Sequence, residues 1–148
     1  MREPKFCNKM FFNYSEEIVV AYTIDRTFEN GSFNDIVERT TKALSKEGFG
    51  VLTEIDVRAT LKSKLDIDTP NYLILGACNP NMAHKAMTIE PRVGAMLPCN
   101  VIIRDVKDAG IEVNAIDPLA SMAAIDNAEL KSVASEVREM MEKVVENI

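Results

Sequence analysis

The chain contains no tryptophan, and aromatic residues make up only 6% of its 148 positions. A ligand cage of stacked aromatic faces is therefore not expected. Histidine occurs once, at His84, and cysteine three times, at Cys7, Cys78 and Cys99. No C-x-x-C joins any two of these cysteines, so thioredoxin-type chemistry lacks its motif. Glycine-rich phosphate loops, a dinucleotide fingerprint and a G-x-S-x-G elbow are all missing. Long apolar runs are missing too, and none nears the roughly 20 residues that cross a bilayer. The opening "MREPKFCNKMFFNYSEE" has no continuous apolar stretch and makes a poor signal peptide. Excess positive charge is also absent. A net charge of −6 disfavours nucleic acid and anionic membranes as partners, since both attract a basic face. Three cysteines cannot all pair within one chain. Without an export signal, reduced thiols and a cytoplasmic location are expected.

What the chain does have is enough apolar residue, 47%, to build one core. Residues 1–16 read as an N-terminal appendage without a clean period, and residues 17–148 as one domain. "EEIVVAYTID" is rich in β-branched residues and reads as a strand. Ser32 then caps a helix over 33–47, with Phe33, Ile36, Val37, Thr40, Ala43 and Leu44 at helical spacing and Gly48 just past its end. "FGVLTEIDV" is a second strand, with Val51, Thr53, Ile55 and Val57 on one face and Leu52, Glu54 and Asp56 on the other. "ATLKSKLDID" reads as a short helix or helical turn, and "NYLILGA" as a third strand. "NPNMAHKAMTIEP" is a helix that Pro91 ends. "CNVIIRDV", the turn "KDAG" and "IEVNAID" form a hairpin, and Asn127 caps a last amphipathic helix. The main order is β-α-β-β-α-β-β-α. A tight hairpin implies antiparallel pairing, which favours α+β over a doubly wound parallel sheet.

The blocks "FGVLTEIDVRATLKSKL", "YLILGACNPNMAHKAM", "PRVGAMLPCNVIIRDV" and "VNAIDPLASM" occur in that order. In them the chain resembles the bacterial and archaeal family catalogued as domain of unknown function 302, over roughly residues 19–147. The resemblance implies a TATA-binding-protein-like α+β fold, a curved antiparallel sheet with helices packed against it. It also implies a homodimer. No activity or cofactor follows from it.

Each cysteine is followed by asparagine: Cys7-Asn8, Cys78-Asn79 and Cys99-Asn100. Cys7-Asn8 falls outside the family-like blocks. Asn79-Pro80 is most simply a helix start, because Asn accepts an orphan N–H and proline has none to leave unpaired. That start places Cys78 beside the positive end of a helix, which favours thiolate; the competing reading is a small buried hydrophobe. Cys99 opens a strand with Val101 and Ile103 on its face, and Asn100 lies on the other. If the two strands adjoin, Cys78, Asn79, Cys99 and Asn100 meet as a pocket for a small anionic or thiol-reactive ligand. Cys78, Cys99 and His84 are candidate soft-metal ligands, without the spacing that would mark a metal site. Cys78 is also a candidate nucleophile or redox centre, with Asp56 or His84 as base. Glu54 and Asp56 read first as the solvated side of a strand. Arg58 and Arg92 are candidate anion anchors, Asp117 a turn former, and Met82, Met87, Met140 and Met141 core. Three readings result: a binding module, a thiol enzyme, and a purely structural or interaction domain.

Overall fold

Val101 and Ile103 alternate with more polar or exposed positions in Cys99–Val106 (β4), as Ile111 and Val113 do in Gly110–Ile116 (β5), and the two segments pair as an antiparallel hairpin. The computed structural model describes residues 21–148. The expected appendage, residues 1–16 with Cys7, lies outside them. Three more strands complete one open sheet: β1 (Thr23–Phe28), β2 (Gly50–Asp56) and β3 (Tyr72–Cys78). The strand order is β1-β5-β4-β3-β2, antiparallel throughout, so among the described residues β1 and β2 are the two edges.

The helices are α1 (Phe33–Lys46), α2 (Val57–Leu65), α3 (Pro80–Ile89), α4 (Pro118–Ser121) and α5 (Ala128–Glu146). A 3-10 turn over Pro91–Met96 follows α3. The expected order therefore holds for the strands and the three longest helices. α2 stands where "ATLKSKLDID" reads as a short helix but starts at Val57, a residue expected in β2, and the 3-10 turn and α4 are additional. Caps act where the sequence placed them: Ser32 Oγ accepts the Asp35 N–H at 3.1 Å, and Asn127 Oδ1 that of Leu130 at 3.0 Å.

α1 and α5 pack together on one face of the sheet. Ile36 and Leu44 from α1, and Leu130, Met141 and Val144 from α5, are buried with Leu75, Val101, Ile103 and Val113 of the central strands. Burying each such side chain contributes about 1.5–3 kcal/mol, so this layer supplies most of the hydrophobic stabilisation. The opposite face carries a polar row. Asn114 donates to Asp25 at 2.7 Å, and Arg104 donates to Asn114 at 3.3 Å and pairs with Glu112.

Two strand readings need correction. β1 continues past the Asp25 end of "EEIVVAYTID" to Phe28, with pairing from Thr23↔Ile116 to Phe28↔Ile111, and the start of that segment lies outside the described residues. Arg26 is tolerated on the helix side because it donates to the Val145 and Glu146 carbonyls, at 3.0 and 2.7 Å, near the end of α5. In β2, a bulge between Val51 and Thr53 breaks the simple alternation. Val51 pairs with Ala77 but Thr53 with Gly76, so Glu54 and Asp56 share a face with Val51, and Thr53 with Ile55 takes the other. The close approach explains the glycine: a Cβ on Gly76 would meet Thr53 Oγ1 at 2.1 Å.

Candidate functional site

Cys78 is the last residue of β3 and Cys99 the first of β4, and Ala77 pairs with Cys99 across the ladder. The neighbouring strands thus bring the two cysteines to one end of the sheet. Both are free thiols; Cys78 is half-buried and Cys99 buried. They line a single cavity of about 30 Å³ between the sheet, α3, α4 and α5. That volume suits a guest of about two water-sized atoms, not a nucleotide or flavin. Burial pushes the Cys99 thiol up to about 11, with the neighbouring Cys78 adding to the shift.

The remaining walls are apolar. Met82, Ala83 and Ala86 come from α3, Met122 from the end of α4, and Val133 and Val137 from α5. No charged side chain lines the space. Asn79 is the one carboxamide there, and its atoms are engaged in architecture. Its Oδ1 accepts the Met82 N–H at 3.3 Å, capping α3. Its Nδ2 donates to the Glu47 carbonyl at 3.4 Å and lies 3.8 Å from Met140 Sδ. Gly48, at φ +80°, lets α1 end against it; a Cβ there would stand 3.2 Å from Asn79 Nδ2.

Asn100 does not join the pocket. Strand alternation turns it to the face of Gly76, where it is exposed. His84 is exposed on the outer side of α3, opposite the inward Met82, Ala83 and Ala86, because helical period separates those positions. The Cys78–Cys99–His84 metal set is therefore not assembled. Among the described residues, no three His, Cys, Asp or Glu side chains gather as a metal set. Asp56 is remote in role: its Oδ1 caps α2 by accepting the Ala59 N–H at 2.9 Å, and it is exposed with Glu54. Arg58 donates to Asn71 at 3.0 Å, and Arg92 lies 3.2 Å from Glu90, so neither candidate anion anchor faces the cavity.

Asp117 organises the turn into α4, accepting the Leu119 N–H at 2.9 Å. Arg138 Nε stands 3.2 Å from Asp117 Oδ2 yet lacks the alignment of a hydrogen bond, so that contact is ionic. Of the methionines read as core, Met141 is fully buried, whereas Met87 is 43% exposed on the outer side of α3. Sequence reasoning missed Met122 and Pro118 as cavity walls, since only tertiary packing brings α4 to the cysteines. Met82 carried one local signal: four residues past Cys78, it faces back along α3.

No curated protein matches the chain. Among solved structures, it resembles the crystal structure of an uncharacterized conserved protein DUF302 from Bacillus stearothermophilus, with a TM-score of 0.79 at 24% identity, over 85% of this chain and 97% of that one. At that identity the likeness establishes a shared α+β fold. The family described as "Domain of unknown function DUF302" matches residues 24–148, which include both strands and all the helices that wall the cavity, and to that family the chain belongs.

Proposed function

We propose that the chain is a small-ligand binding module whose guest occupies the cavity between Cys78 and Cys99. The observation that carries this reading is two free thiols on one apolar cavity. An anionic guest finds no cationic side chain on these walls, so the reading narrows to thiol-reactive and soft-metal guests. The enzyme reading needs a base within about 3 Å of Cys78. Neither His84 nor Asp56 lines the cavity, which argues against them in that role. The purely structural reading has one specific support, the capping and bridging bonds that occupy Asn79. It leaves the paired thiols without a purpose.

The module works as a cytoplasmic homodimer in this proposal. Its support is the edge strand β2, which has no buried residue and exposes Leu52 (67%) and Ile55 (48%). Among the described residues, no helix is long and apolar enough to cross a membrane.

Methylthiolation of the native protein tests the binding reading. In a Cys7→Ser background, a small methanethiosulfonate should label Cys78, transfer one S–CH₃ group, and shift the methyl NMR signals of Met82, Met122 and Val137. Labelling no faster than global unfolding, or shifts confined to the exterior, would sink it.

A further inference from the structure

Four sulfur-bearing side chains line the one cavity: Cys78 and Cys99 from the strand ends, Met82 from α3 and Met122 from the end of α4. Methionine often fills cores simply as a flexible apolar group. Here two methionines and two cysteines line the same small space, and no carboxylate, imidazole or cationic side chain shares it. We propose that this cavity is a site for a single cuprous ion, held by the sulfurs of Cys78, Cys99, Met82 and Met122. The inference rests on the binding-module reading and names its ligand.

Donor chemistry selects the ion. Thioether sulfur alongside thiolate favours Cu(I), while magnesium and calcium require oxygen and zinc takes thiolate, imidazole or carboxylate rather than thioether. The single imidazole, His84, is on the outer side of α3 and exposed. Charge is compatible as well: an apolar cavity penalises net charge, and a monovalent ion with one thiolate is neutral. In the binding step the Cys78 S–H bond breaks, its proton leaves to solvent, and the sulfur lone pair forms the S–Cu bond. No electron is transferred; the ion arrives and stays as Cu(I). Met82 and Met122 complete the shell without adding charge. The volume of about 30 Å³ admits a bare ion.

The full chain, reduced and anaerobic in a Cys7→Ser background, should be titrated with Cu(I) against bicinchoninate. One ion per chain is expected, with X-ray absorption showing sulfur neighbours only. Cys78→Ser should abolish competition with the chelator. Met82→Leu and Met122→Leu, which keep apolar volume, should each weaken binding by about tenfold or more. His84→Ala should leave it unchanged. Tight binding that survives Cys78→Ser, nitrogen or oxygen neighbours at copper, loss on His84→Ala, or no stoichiometric uptake would each overturn the proposal. Should Cys78→Ser fail to fold, the two leucine variants decide the same question. If copper is not held while methylthiolation still perturbs the cavity methyls, this inference falls and the binding reading stands; if both fail, both fall.

Discussion

Cys99 combines a titratable sulfur with a site that water hardly reaches, being 8% exposed at the start of β4. Burial, and then Cys78, raises its thiol from the usual 9.0 to about 11. In the unfolded chain this thiol ionises near pH 9, and in the folded protein near 11. Between those values the folded state holds a proton that the unfolded state has lost. Stability must therefore fall as pH rises through that window, with a slope approaching 1.4 kcal/mol per pH unit, and Cys99 contributes no slope below it. The urea midpoint of the native protein should drop more steeply from pH 9 to 11 than that of Cys99→Ala. Parallel curves would show that the folded thiol ionises freely. Asn100 shows the contrast one residue on: it turns to the exposed face and carries no such constraint.

Asn79 acts between elements. Its carboxamide caps α3, reaches the last carbonyl beside α1 at Glu47, and touches Met140 of α5. Asn79→Ala removes the cap oxygen and both donor contacts, and should cost about 1–2 kcal/mol in chemical denaturation. Asn79→Asp keeps the cap and loses the donors, so it should cost less; an equal loss for both would mean that the cap carries none of the effect. Such caps were legible in the sequence because they depend on residues three apart. The β4 and β5 strands were legible because alternation is local and a short turn fixes their pairing. The bulge in β2 was not, since it arises from the match of Thr53 to Gly76 across the ladder. The site was half legible. Adjacent strands bring Cys78 and Cys99 together as the pattern suggested, and period alone puts His84 outside. Met122 and Pro118 reach the cavity only through the docking of α4 on α5, which no local spacing records.

At the scale of the whole molecule, the two sheet edges differ. β1 buries Phe28 and ties Arg26 to the end of α5, whereas β2 and α2 bury nothing. Of seven large apolar side chains exposed among the described residues, four (Leu52, Ile55, Leu65 and Ile67) lie on or just beyond β2 and α2. An edge strand with apolar neighbours, left without a partner strand among the described residues, is a template for further pairing. Two copies of one antiparallel edge are self-complementary about a two-fold axis, so the proposed homodimer closes without leaving a propagating end. In that dimer, β2 of each copy covers the other and Leu52 and Ile55 become buried. Lysine at either position should barely affect a monomer, since surface changes fall within about 0.5 kcal/mol. It should raise the dimer dissociation constant by roughly tenfold or more, because about 1.4 kcal/mol of lost apolar burial per position suffices. Sedimentation of the native chain, Leu52→Lys and Ile55→Lys at micromolar concentration measures this, with Met87→Lys on α3 as the control that should remain dimeric. A monomeric native chain, or lysine variants as dimeric as the control, would remove β2 as the interface.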